Sequence, residues 1–502
     1  MEPRSPFPGR SFPRTRRARQ HWRATCSLLG LALSAATSCA TNPATGEKML
    51  SLVSESAEIQ MGKQYAQEVE AQMPLLDDPV LRAYVERVGL ALAGVSERPD
   101  LPWSFQIVDD PVVNAFALPG GPVYLTRGIM AHFSSEAEMA AVLGHEIGHI
   151  TARHSVEQIS RAQLAGIGLA VGSMLSRDVA RYSGLSSVGL QVLFLSFGRD
   201  DEHQSDMLGV RYAGRANYDV RESVTMHEKL GRIGQMSGGG GVPSWLSTHP
   251  SSADRIKRLQ ALVDTIPSSR LDSSRLARLE YLDQIDGLVY GEDPRQGFFR
   301  DALFLHPELR FRVRFPAGWE TVNLPSVVGG RSPQEDAIVQ LTIVGDVSGH
   351  AAAARAFFAT EGVRVGWQTR ERIHGLPATI GYFEAETAQG RLEGMAAFVD
   401  HGGHTYRILG YTALGRFNDY ARDVQSFIRS FSELTDPDAL GVQPMRIQIL
   451  TLERYASIEE LASGRPSPIS AAELSLINGV RETDPIPAGT TIKWVTGEVP
   501  PP

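Results

Sequence analysis

The five residues His145-Glu146-Ile147-Gly148-His149 constrain this chain more than any others. Two imidazoles four residues apart lie one helical turn apart, so they converge on a single ion only if the segment is a helix, with Glu146 projecting beside them. The flanking sequence supplies one. Ser135 followed by Glu138 is a capping box, in which each side chain satisfies the other residue's free amide. Leu143, Ile147 and Ile150 share one side, His145 and His149 fall roughly opposite, and the pattern predicts a helix running past His154. A catalytic zinc needs three protein ligands and an open position. The best third candidate is Glu202, with Asp206 one turn on and suited to accept a ring N–H from a ligand histidine. From the residues alone, the alternative is that Asp200, Asp201, Glu202 and Asp206 form a solvated acidic patch.

The length, 502 residues, predicts about three globular units, and 21% charged with 42% hydrophobic residues fits soluble domains. Charge is uneven. Residues 1–38 hold seven arginines against Glu2, a net of +6, which leaves −14 on the remainder of a chain at −8. That balance disfavours nucleic acid as a partner. The basic start runs into the short apolar stretch Cys26–Ala36 and then Ala36-Thr37-Ser38-Cys39, which reads as a signal peptide ending at a lipobox. Cys39 is the expected lipidation site and mature first residue, anchoring the chain to a membrane. With Cys26 removed and Cys39 acylated, neither of the 2 cysteines remains for a disulfide.

The expected fold class is α+β. A mainly helical zincin-type protease domain (39–268) with a small antiparallel sheet between Trp103 and Ile129 follows the signal peptide (1–38). A linker (269–297), an α+β accessory domain (298–436) and a small LysM-like module (442–498) complete the chain. Asn42 to Glu70 reads as a tether turning into an amphipathic helix, and Ala162–Leu175 as a buried or interfacial helix too short to span a bilayer. Further helices are expected over Val188–Ala213 and Ala253–Leu262, and the glycine run Ser237–Gly241 reads as a loop before Trp245 and His249.

His145-Glu-x-x-His149 followed by Glu202-x-x-x-Asp206 resembles the gluzincin branch that contains the CAAX prenyl endopeptidases and the BepA-type periplasmic proteases. Asn114-Ala-Phe-Ala-Leu-Pro-Gly-Gly121, Arg153-His154, Thr248-His249-Pro250 and the start Cys39-Ala-Thr-Asn-Pro-Ala-Thr-Gly46 match the same pattern, over roughly residues 39–262. Ser205, where that family commonly has alanine, is a small departure. The resemblance implies one Zn(2+) per chain on His145, His149 and Glu202, with Glu146 as general base and Asp206 behind the ligands. It also implies an edge strand at Asn114, Ala115 and Phe116 that pairs with extended polypeptide substrates, and a His249 that plugs the site or assists the transition state. His154 reads as a structural histidine. The implied function is a zinc endopeptidase acting on misfolded or unfolded proteins of the bacterial envelope, lipid-anchored in the periplasm, and the lack of Asp after Cys39 fits the outer membrane. Peptidoglycan binding would follow only from the LysM-like module, whose bland alternative is a small packing domain. The rival reading is a chaperone-like or cell-wall-binding lipoprotein with a latent metal site.

Overall fold

A computed structural model describes residues 39–164, 196–236, 244–249, 253–345, 347–387 and 390–498. The signal segment 1–38, most of Ala162–Leu175, the first part of the helix expected from Val188 and the glycine run Ser237–Gly241 lie outside the described residues.

The chain enters as a hairpin rather than as a tether. Strands β1 (Cys39–Thr41) and β2 (Lys48–Leu50) pair antiparallel, with Cys39 opposite Leu50. The hairpin turns because Asn42 Oδ1 accepts from the amides of Ala44 and Thr45, an Asx turn. Helix α1 (Glu55–Gln72) is capped by Ser54, and α2 (Pro79–Ala93) by Asp78 with Pro79 at its first position. Glu58 of α1 is fully buried, which requires charge compensation. Arg98 and Arg153 each reach it at 2.8 Å, and Arg98 also donates to the carbonyl of Ile150.

Strands β3 (Ser104–Val108), β4 (Ala115–Ala117) and β5 (Pro122–Thr126) form a sheet in the order β3-β5-β4. The expectation of an antiparallel sheet is corrected here: β4 and β5 are antiparallel, but β3 runs parallel to β5. The tight turn through Pro119-Gly120-Gly121 makes β4 and β5 neighbours. The longer β3–β4 connection carries the chain past the position of β5, so β5 returns in the centre, buried along its whole length.

After α3 (Arg127–His132) comes α4 (Glu136–Thr151), which carries the two motif histidines. Ser135 caps it through the Glu138 amide, and every residue of it is buried. The helix does not run past His154. It stops at Ala152, Arg153 takes φ 61°, and α5 (His154–Leu164) restarts in a new direction. Buried bonds from Arg153 to Glu58 and to the Val53 carbonyl hold this left-handed break. Helices α6 (Arg199–Arg215), α7 (Arg221–Met236), α8 (Ser244–Thr248) and α9 (Ala253–Val263) complete the site region.

The segment read as a linker packs into this domain. Helices α10 (Ser268–Asp272) and α11 (Arg278–Gln284) lie within it, and Tyr281, Leu282, Ile285 and Leu288 belong to the same core as Leu143 and Ile147. Beyond it, a seven-stranded antiparallel sheet (strands between Glu320 and Ala413) and a four-stranded sheet share a second core with helix Phe417–Ser430. The last 50 or so residues run strand Arg446–Thr451, helices Ile458–Gly464 and Ala471–Asn478, and strand Thr491–Thr496. This βααβ unit has its own small core, but Ile447 and Leu476 join the core that contains Leu143 and Ile147.

The joint is polar as well as apolar. Lys493, fully buried, donates to the carbonyls of Ala131 (2.9 Å) and Phe133 (2.6 Å), just before the cap of α4. Burial, with the Lys229 charge nearby, pushes its amine well below the usual lysine range. Lys229 in turn holds Glu138 at 2.7 Å and reaches Ser134 Oγ. Replacing Lys493 with methionine keeps the aliphatic stem but strands two buried carbonyls, so urea unfolding should show a loss of about 1–3 kcal/mol.

Glu222 lies against the same cap. Burial, then the charge of Glu138, raises its carboxyl to about 7, against Lys229, which lowers it. A carboxyl raised by folding takes up protons in the native state, so stability falls as pH rises from about 4.5 to about 7. Glu222→Gln should therefore melt above the parent protein at pH above ~7 and converge with it below pH ~4.5, as read by calorimetry across that window.

Candidate metal centre

Helices α4 and α6 approach closely because neither carries a side chain where they cross. A Cβ on Gly209 would sit 2.9 Å from the His145 amide nitrogen, and one on Gly148 would sit 3.1 Å from Ser205 Cα. This contact places Glu202 and Asp206, one turn apart on α6, opposite His145 and His149, one turn apart on α4.

Four groups then meet. His145, His149, Glu202 and His249 each offer a ligand atom, all within 4.8 Å of one another and all buried. His145 Nε2 lies 3.1 Å from His149 Nε2 and 3.3 Å from His249 Nδ1. Glu202 oxygens stand 3.6 Å from His145 Nε2 and from His149 Nε2, and 2.9 Å from His249 Nδ1. Ligand atoms ~2.0–2.1 Å from an ion at tetrahedral angles are separated by about 3.3–3.4 Å, so this cluster has the dimensions of one tetrahedral site. The ring that matters most is in the right protonation state: burial, then the neighbouring imidazoles, pushes His149 well below its usual value, leaving the neutral, metal-binding form. Glu146, 1% exposed, sits beside the cluster with Oε1 3.6 Å from His249 Nε2 and 3.4 Å from Trp245 Nε1.

The outer nitrogens are also held. His145 Nδ1 lies 3.0 Å from Asp206 Oδ1. His149 Nδ1 lies 2.9 Å from His154 Nδ1, and His154 Nε2 lies 2.9 Å from Gln204 Oε1, which also accepts from Asn42 Nδ2. The tautomers are consistent: with His149 Nε2 facing the cluster, its Nδ1–H donates to His154, whose Nε2–H donates to Gln204. The position read as a structural histidine thus orients His149. The left-handed turn at Arg153 aims it there.

Arg255, on α9, is the residue that sequence reading missed. Its guanidinium takes both oxygens of Asp206 at 2.7 and 2.8 Å, and Nη1 lies 2.6 Å from Glu202 Oε2, out of line for a hydrogen bond. Burial would raise the carboxyls of Glu202 and Asp206. For Glu202 the charges of His249, His145 and Arg255 outweigh it and lower the carboxyl; for Asp206, His227, His145 and Arg255 hold it well below the usual range. The missed signal was charge balance: Glu146, Glu202 and Asp206 crowd one buried site and require a cation besides any metal. Phe197, its ring tilted against His149 at 4.0 Å, and Trp245, stacked 5.1 Å from His249, close the apolar side.

The edge-strand residues lie beside the cluster. Asn114, Ala115 and Phe116 are buried, and Phe116 stacks on Tyr124 at 4.9 Å. β4 is the outermost strand of its sheet. Trp245 of α8 donates its backbone N–H to the Val113 carbonyl (3.3 Å), so the segment leading to His249 is docked on the approach to that edge. Cys39 lies at the head of the hairpin, opposite Leu50.

Residues 79–263 match the profile of Peptidase family M48. Among curated relatives, the mitochondrial metalloendopeptidase OMA1 of Arabidopsis thaliana is 34% identical over 185 residues, 37% of this chain and 36% of that protein. The beta-barrel assembly-enhancing protease of Escherichia coli (strain K12) is 30% identical over 230 residues, 44% of this chain and 47% of that protein. OMA1 of Schizosaccharomyces pombe is 37% identical over 181 residues, covering 35% and 51%. The chain thus spans about a third to a half of the length of these relatives. Among solved structures, cyanobacterial PsbP from Synechocystis sp. PCC 6803 aligns with 27% of this chain and 95% of its own at 14% identity, with a TM-score of 0.23, which carries no fold assignment.

Removing the carboxylate behind a metal-ligating histidine typically costs 10–100-fold in metal affinity. Asp206→Ala should weaken cobalt or zinc retention by that factor in a chelator competition, while circular dichroism stays that of the parent.

Proposed function

We propose that this chain is a zinc-dependent endopeptidase of the bacterial cell envelope that hydrolyses misfolded or unfolded envelope proteins. The observation that carries the reading is the tetrahedral spacing of His145, His149 and Glu202 with Glu146 alongside. Those three residues would hold the zinc. Zinc, when bound, supplies Lewis-acid polarisation of the scissile carbonyl and lowers the pKa of the attacking water. Glu146 is the general base: an Oε takes the proton of that water and returns it to the leaving amine nitrogen. Asp206 and His154 fix the two imidazoles, and Arg255 keeps Glu202 and Asp206 ionised. A substrate strand would pair with the β4 edge through its main chain, which selects extended polypeptide over folded protein.

His249 is assigned the plug. It occupies the position nearest Glu202, and the Trp245 contacts with Glu146 and Val113 block the same approach. Substrate entry then requires α8 and His249 to withdraw together. The same contacts favour one second reading, a binding lipoprotein whose metal site stays closed.

Lipidation at Cys39 accounts for localisation in the periplasm, at the outer membrane. Among the described residues no helix is long and apolar enough to cross a membrane. Because β1 begins at Cys39 and Asn42 is already bonded to Gln204, the acyl anchor would join the catalytic domain with almost no spacer. The C-terminal βααβ unit has the element order of a LysM-like module, for which peptidoglycan is the corresponding partner.

Metal content and casein cleavage test the proposal. One zinc per chain is expected, with cleavage abolished by Glu146→Gln and increased by His249→Ala. Zinc-free protein, or cleavage indifferent to Glu146→Gln, would sink the enzyme reading, and zinc with no cleavage in any variant would favour the closed-site lipoprotein.

A further inference from the structure

A cavity of about 470 Å³ lies away from the metal centre, between the protease domain and the accessory sheets. That is within the range of small-ligand and peptide side-chain sites. Its walls are of two kinds. Phe304, Phe311, Val328, Leu341 and Ile343 line one side, and Ile343 is 44% exposed there. Six carboxylates complete the lining: Glu70, Asp109, Asp110, Glu292 and Asp293, with Glu308 in the turn between the strands that carry Phe304 and Phe311.

Arg127 is the arginine in the wall, and three of its five N–H donors are already engaged, by Asp109 at 2.6 Å and by the carbonyls of Val289 and Gly291. Asp293 is held by Arg295 at 2.6 Å. Formally the carboxylates exceed the arginine by five. His306 does not redress this, since burial lowers it to about 4 and leaves it neutral at neutral pH. A second observation is independent of the charges. Tyr406, fully buried and part of the wall, has a phenol with no hydrogen-bond partner. A buried hydroxyl left unpaired is uncommon and costly, and a ligand reaching the floor of the cleft would satisfy it.

The position of the cleft limits the occupant. Asp109 and Asp110 directly follow β3, and Asn114, which immediately precedes β4, is only four positions beyond Asp110. That is at most ~14 Å of extended chain. A polypeptide lying along β4 can therefore continue into the cleft. We infer that this cleft is an exosite that takes a cationic, amphipathic segment of an extended polypeptide, its basic side chains against the carboxylates and its apolar ones against Phe304, Phe311 and Leu341. The role in substrate capture rests on the endopeptidase reading; the binding itself does not.

The test is fluorescence anisotropy on the full chain carrying Glu146→Gln, which cannot cleave its probe. Two short labelled peptides are compared, one alternating lysine with leucine, the other glutamate with leucine. The lysine peptide should bind at least tenfold tighter, and the preference should collapse in the double variant Glu70→Lys/Glu308→Lys. Tyr406→Phe, which removes no internal hydrogen bond, should retain the fold and weaken the lysine peptide several-fold. Equal binding of the two peptides, or a preference unchanged in the double variant, overturns the exosite. So does a lysine peptide fully displaced by millimolar calcium, which would mark a simple cation site. Loss of zinc or of casein cleavage counts against the enzyme reading and leaves these affinities unaffected.

Discussion

Everything at the metal centre depends on the distance between two helices. Gly144, Gly148 and Gly209 remove the side chains that would hold α4 and α6 apart, and a single methyl at Gly209 would run into the backbone of His145. At that separation the carboxylates of α6 reach the imidazoles of α4 directly. At a more usual distance of 8–10 Å set by larger side chains, Glu202 could not share an ion with His145 and His149. The small residue at 205 belongs to the same contact: serine fits where alanine would, and its hydroxyl lies 3.3 Å from His154.

The close contact creates an electrostatic problem that shapes the surrounding fold. The carboxylates of Glu146, Glu202 and Asp206 are gathered out of water with the imidazoles of His145, His149, His154, His227 and His249, and the repulsion among the carboxylates would open the site if nothing compensated it. Arg255 is the fixed part of the compensation. Its bidentate bond to Asp206 and its approach to Glu202 tie α9 to α6, while its carbon stands 5.8 Å from the Trp245 ring. The arginine therefore couples the ligand carboxylates to the segment that carries His249.

What could be read from the sequence divides along physical lines. The His145–His149 helix and its Ser135 cap were legible because a metal motif and a capping box each specify local backbone. Glu202 and Asp206 were legible because i, i+4 spacing on one helix is local too. Arg255 and the His149–His154–Gln204 chain were not, because they depend on where separate helices meet. The parallel pairing of β3 escaped for the same reason: hydrophobic alternation identifies strands but does not orient them. The break at Arg153 had no proline or glycine to mark it. It exists because Glu58, some 95 residues away, draws the Arg153 side chain inward.

The least legible feature was the attachment of the C-terminal unit. Composition and turn spacing describe it as a separate small domain, and its inner core agrees. Yet the buried amine of Lys493 ends on the carbonyls of Ala131 and Phe133, Ser134 Oγ donates to the Ile477 carbonyl, and Arg278 reaches the Thr491 carbonyl. These bonds all surround the N-terminal end of α4, where Glu138 and Lys229 are also paired. A buried ammonium is tolerated only where its hydrogen bonds are met, so the unit cannot shift without exposing or stranding Lys493. The helix that carries His145 and His149 is thus fixed at one end by Glu58 through Arg98 and Ile150, and at the other by the C-terminal βααβ unit. The ligand spacing is a property of the whole molecule rather than of the motif alone.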